Sequence, residues 1–78
     1  MAIPLVAIVV GMEIIINNQK EIVAEASTIQ SVADAKLGDK QKGVAIALNN
    51  QVVAKPDWSS TQLKNNDNIL IIKATQGG

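Results

Sequence analysis

The sequence predicts an α+β fold, a sheet of four to five strands with one main helix on one face. Three observations carry this. Short β-branched runs recur between asparagine-rich turns, the period-two signature of strands. Only one stretch has apolar residues at helical spacing. At 78 residues the chain supports one small domain, in which a single helix covers a single sheet face.

The elements follow in order. MAIPLVAIVVG, residues 1–11, is uncharged and almost wholly apolar. It is shorter than the roughly 20 residues that cross a bilayer. It also lacks the basic start of a signal peptide, and Pro4 disfavours a regular element within it. It reads as a leader outside the fold or, alternatively, as an extra edge strand or partner-binding arm. The domain is placed at 12–74 and a flexible tail at 75–78. From Met12, EIIIN reads as a strand, Asn17-Asn18 as a tight turn and KEIVAE as the antiparallel return. Asparagine tolerates the positive φ that two-residue hairpin turns require.

Ser27 and Gln30 have capping-box spacing, so Ser27 is the expected N-cap of a helix. Ile29, Val32, Ala33 and Leu37 share its apolar face, and Gly38 supplies the terminating glycine. GDKQKG is a polar loop in which Lys40 and Lys42 are solvated. VAIAL alternates bulky and small residues as a strand does, and a second NNQ turn leads into VVA. Pro56 can begin a helical turn over PDWSS, where Trp58 plugs the core. NNDN then turns the chain into the strand NILIIKAT. Alternation places Ile14, Ile16, Val44, Ile46, Leu48, Ile69 and Ile71 against the helix. It leaves Ile15, Ala45, Ala47, Leu70 and Ile72 on the opposite face, a candidate partner-binding surface unless a loop or the leader covers it.

Composition narrows the function. Seven lysines balance seven acidic residues, arginine is absent and Trp58 is the single aromatic, so neither the basic stripe nor the stacking rings of a nucleic-acid binder are present. Without histidine there is no ordinary general base near neutral pH. Without cysteine there is no thiol nucleophile, disulfide or thiolate metal site. The hydroxyls of Ser27, Ser31, Ser59 and Ser60 have no histidine to activate them. No catalytic side chain and no metal ligand set emerges, and no glycine-rich phosphate loop is present. Attention passes to the main chain. ATQGG closes the sequence straight after a core strand. Gly77 and Gly78 have no side chains, so with Gln76 they can thread a narrow slot in another protein. A frayed terminus or cloning scar is the competing reading of the same residues.

MEIIINN, ALNNQVVAKPDW, the L-x-x-x-D-x-I-L-I-I run from Leu63 to Ile72, and the final Gly-Gly together resemble the ThiS family of bacterial sulfur carriers, over everything but the leader. The diglycine is shared by all ubiquitin-like carriers. The ALNNQVV…W stretch is more telling, since it separates the chain from molybdopterin-synthase small subunits. Two features depart from the family pattern: the apolar leader, and Asn66, where many relatives carry glycine.

The resemblance implies a β-grasp, ubiquitin-like fold with a mixed sheet. It implies a carrier and co-substrate, not an enzyme, acting in thiamin (thiazole) biosynthesis. The Gly78 carboxylate would be adenylated by a separate enzyme resembling ThiF and converted to a thiocarboxylate. The sulfur would pass to a thiazole synthase resembling ThiG. ATP and magnesium would belong to the partner's site, with no cofactor bound here. The expected setting is cytoplasmic, without nucleic acid or membrane, and the free protein a monomer. A molybdopterin-type sulfur carrier, a ubiquitin-like protein modifier and a non-covalent β-grasp binding module remain alternatives.

Overall fold

Two Asn-Asn pairs set the strand registers. In the computed structural model, which describes residues 11–73, β1 (Gly11–Ile16) and β2 (Gln19–Ala24) are joined by Asn17 and Asn18 at φ 50° and 69°. Asn49 and Asn50, at 50° and 70°, join β3 (Val44–Leu48) to β4 (Gln51–Val53) in the same way. Left-handed conformations at both central positions match the twist of an antiparallel hairpin. The turns pair Ile16 with Gln19 and Leu48 with Gln51. The return strand β2 therefore starts at Gln19, one residue before the sequence-based boundary.

Gly11 also departs from its expected place in the leader. It opens β1 opposite Ala24. A Cβ there would lie 2.6 Å from the Ile22 Cγ2, so the close approach of the two strands favours glycine.

The last strand, β5 (Asn68–Lys73), runs parallel to β1 and antiparallel to β3, giving a five-stranded mixed sheet of order β2-β1-β5-β3-β4. The strand that leads to the C-terminal tail thus occupies the centre of the sheet.

The helix α1 (Ile29–Leu37) lies on one face. Its N-cap is Thr28, not Ser27. The Thr28 hydroxyl accepts the Ser31 N–H at 3.1 Å, and the Ser31 hydroxyl accepts the Thr28 N–H at 2.9 Å, a capping box one residue later than expected. Ser27 instead donates to the Ala24 carbonyl at 2.6 Å. Tertiary pairing explains the shift. Thr28 bridges Gln62, the Ile29 N–H donates to the Thr61 carbonyl, and the Leu63 N–H donates to the Ser27 carbonyl. Those bonds hold Thr28 extended, so the helix begins after it. Gly38, at φ 58°, ends it with its N–H on the Asp34 carbonyl.

The core lies between sheet and helix. Ile14, Ile16, Ile46 and Ile69 from the sheet meet Ile29, Val32, Ala33 and Leu37 from the helix, as alternation predicts. Val44, Leu48 and Ile71 pack around this cluster, half-buried. Trp58, on a 3₁₀ turn over Lys55–Ser60, closes one end with only 1% of its surface exposed. Its Nε1–H donates to the Val53 carbonyl at 3.0 Å, which satisfies the indole's polar atom inside the core.

Candidate functional site

The candidate site combines the outer sheet face with the strand that leads to the tail. Gly78, Gly77 and Gln76 lie outside the described residues. The strand before them is described up to Lys73.

The register brings the five face residues together. Ala45 lies across from Ile72 and Ala47 from Leu70, while Ile15 lies beside Asn68 on the parallel side. All point away from the helix because their neighbours in sequence point into the core. Leu70 and Ile72 are 46% and 43% exposed. Ala47 departs from the sequence reading, since it faces outward yet is only 7% exposed. Its single methyl sits between two larger cross-strand neighbours, Leu70 and Val52, which overhang it. It forms the floor of the face, not part of its surface.

Two apolar residues of this face escaped the sequence reading. Val52 and Ile22 are each 65% exposed. Val52 pairs with Ala47 and extends the patch across β4. Ile22 pairs with Glu13 and lies at the β2 side. Alternation in QKEIVA and QVV carried the signal, because Val23 and Val53 pack on the core and so send Ile22 and Val52 outward. A Glu13–Lys20 ion pair at 3.8 Å, both partners exposed, edges the patch between β1 and β2. Screened by solvent, it adds charge pattern more than stability.

The helix side offers little chemistry. Two open grooves, of about 320 and 240 Å³, run between α1 and the sheet near β2. Glu21 and Lys36, which line both, form an ion pair with each other, and Lys73 also lines the second. The Ser27 and Ser31 hydroxyls donate to main-chain carbonyls. Asp34, exposed on α1, has its carboxyl held below the usual 3.8 by hydrogen bonds from Gln41 and then Gln30. Among the described residues, no three His, Cys, Asp or Glu side chains cluster as metal ligands, and no helix is long and apolar enough to cross a membrane.

Comparison with known proteins agrees with this geometry. The ThiS family model matches residues 8–78, reaching through the sheet to the terminal diglycine. The chain belongs to the ThiS family. It is 30% identical over 67 residues to the sulfur carrier protein ThiS of Escherichia coli K12, an alignment covering 86% of this chain and all of that protein. The crystal structure of the thiamine biosynthesis protein ThiS from Geobacter metallireducens superposes with a TM-score of 0.74 at 22% identity, covering 86% of this chain and 100% of the other. A solution structure of a thiamine biosynthesis protein from the same organism gives 0.71 at 22% identity, covering 86% and 88%. At that identity the two structures speak for the fold, which is the ThiS-type β-grasp. The Escherichia coli relative is named a sulfur carrier protein.

Proposed function

We propose that this chain is a sulfur carrier of thiamin biosynthesis whose working group is the α-carboxylate of Gly78. The observation that carries the reading is the family match running to residue 78, where Gly77-Gly78 follows the central strand of the sheet. An α-carboxylate has an ordinary pKa of about 3.5 and is ionised at neutral pH, which makes it a poor acyl electrophile. An adenylating enzyme resembling ThiF would overcome this. The carboxylate oxygen attacks the α-phosphorus of ATP and pyrophosphate departs, leaving an acyl-adenylate. A sulfur nucleophile then attacks the Gly78 carbonyl carbon and AMP leaves, giving the thiocarboxylate. That sulfur passes to a thiazole synthase resembling ThiG. ATP and its magnesium sit in the partner's site, and this chain supplies only the acyl group.

The outer face supports the same reading. Leu70 and Ile72 lie on the strand that continues into the tail, so an enzyme that docks on them meets the arm at its root. Gly77 and Gly78, lacking Cβ atoms, suit entry into a narrow active-site slot, with Gln76 at its mouth. The absence of cysteine leaves no internal thiol to capture the activated carbonyl.

Intact-mass measurement tests the reading directly. After incubation with the adenylating enzyme, ATP and a sulfur source, the protein gains the mass difference between sulfur and oxygen, and capping Gly78 abolishes the gain. No gain on the free terminus overturns it. Thiamin auxotrophy of a deletion strain separates this pathway from a molybdopterin-type carrier, and conjugates on target lysines would instead point to a protein modifier.

A further inference from the structure

The two Asn-Asn turns do more than reverse the chain. Their first asparagines flank β5 from opposite sides, Asn49 at its start and Asn17 at its middle. Asn49, at the end of β3, donates its N–H to the Asn68 carbonyl at 2.8 Å and accepts the Asn68 N–H on its Oδ1 at 2.9 Å. Asn17, at the end of β1, donates its N–H to the Ile69 carbonyl at 2.9 Å and accepts the Ile71 N–H on its Oδ1 at 2.8 Å. In both cases a side-chain amide oxygen stands in for a strand carbonyl. The parallel ladder between β1 and β5 pairs only Ile15 with Asn68 and Ile16 with Ile69. Asn17 prolongs it after β1 has already turned away. Beyond Ile71, the pairing that holds Ile72 and Lys73 comes from β3 alone.

We propose that Asn17 and Asn49 are positioning residues for the carrier tail, their side-chain oxygens holding β5 from Asn68 to Ile71 and so the point from which the C-terminal arm is presented. The inference rests on the sulfur-carrier reading. Its physical content is a fraying equilibrium. When the Ile71 N–H loses its acceptor, the end of β5 opens more often. Ile72 then leaves the docking face, and the stretch between the last held residue of β5 and Gly78 grows by up to two residues. A longer tether lowers the effective concentration of Gly78 in the partner's active site. A depopulated docked conformation raises the apparent dissociation constant by the same factor.

Asn17→Gly isolates the effect, because glycine keeps the positive φ of the turn and removes only the acceptor. The expected result is amide exchange at Ile71 about fivefold faster, the order for one lost hydrogen bond, with Ile46 unchanged. KM for the adenylating enzyme should rise between about twofold and that same fivefold limit, while kcat falls less than about twofold. Asn17→Asp keeps both an acceptor and a tolerated φ, and should restore KM. Asn18→Gly, in the same turn but without a side-chain bond among the described residues, should change neither quantity. Asn49→Gly should accelerate exchange at Asn68. If Asn17→Gly is too unstable to assay, it is rebuilt on Ala26→Gly, which relieves a positive φ elsewhere. Faster Ile71 exchange with an unchanged KM overturns the proposal, as does a KM defect that Asn17→Asp fails to rescue. Intact mass of the wild-type protein separates the two claims. Failure of the wild type to gain sulfur sinks the carrier reading, whereas sulfur gain with an indifferent Asn17→Gly sinks only this one.

Discussion

Asp67 is a buried acidic residue, 8% exposed, where the other buried residues among those described are apolar. Its Oδ2 accepts the Lys64 N–H at 2.7 Å, and its Oδ1 accepts a hydrogen bond from the Asn49 Nδ2–H at 3.0 Å. Asn49 cannot turn over to suit a new partner, because its own Oδ1 is committed to the Asn68 N–H. Asp67→Asn, almost isosteric, can keep the Lys64 bond only by setting its own NH₂ against the Asn49 NH₂. One charge-assisted hydrogen bond is lost, and the expected cost is about 2 kcal/mol. For a domain of this size that is a fall in Tm of roughly 8–16 °C. Asn49→Asp alone brings two carboxylates to the separation now held by an amide and a carboxylate, and should cost a similar amount. The double variant reverses donor and acceptor and restores every bond, so the coupling between the two sites should approach the full cost of the two single variants, about 4 kcal/mol. Urea unfolding followed by the fluorescence of Trp58, the single tryptophan and fully buried, measures each corner of the cycle. If both single variants lie within about 0.5 kcal/mol of wild type, or the double variant costs their sum, the hydrogen-bond logic is wrong.

Ala26 adopts φ 65° in the connection between β2 and α1. Ala26→Gly should therefore stabilise the protein by about 0.5–1 kcal/mol in the same urea assay, and a destabilisation would show that the alanine methyl packs usefully. Leu70→Glu and Ile72→Glu place charge on an already exposed face, so Tm should move little while binding to the adenylating enzyme, read by titration calorimetry, weakens at least about tenfold. Unaltered binding would remove the outer face from the docking surface. Asp34 has a depressed carboxyl pKa in the folded protein, so its contribution to stability is present above the usual 3.8 and is lost as pH falls through the folded value. Gln41→Ala removes the larger cause, and carbon-detected titration should find the Asp34 midpoint moved up; a fixed midpoint would assign the depression elsewhere.

Much of this architecture was legible beforehand because local chemistry enforces it. The two Asn-Asn turns need left-handed backbone, which asparagine tolerates, and a two-residue turn admits one register. The inward set from Ile14 to Ile71 follows from strand alternation, since a slip by one residue would expose the whole core. The apolar stripe of α1 and the burial of Trp58 were equally visible.

The sequence by itself thus determined where strands, turns and helix lie, which side chains face inward, and, through residue types it lacks, that no histidine- or thiol-based catalysis is available. Tertiary structure decided what depends on residues distant in the chain. The pairing of Ser27, Thr28 and Ile29 with Thr61, Gln62 and Leu63 moved the helix cap from Ser27 to Thr28. The placement of β5 between β1 and β3 put Asn17 and Asn49 on its two flanks. Cross-strand neighbours buried Ala47 while leaving Val52 and Ile22 exposed. Local propensity repeats every few residues and cannot rank these alternatives; only the hydrogen bonds and contacts made when remote segments meet can do so.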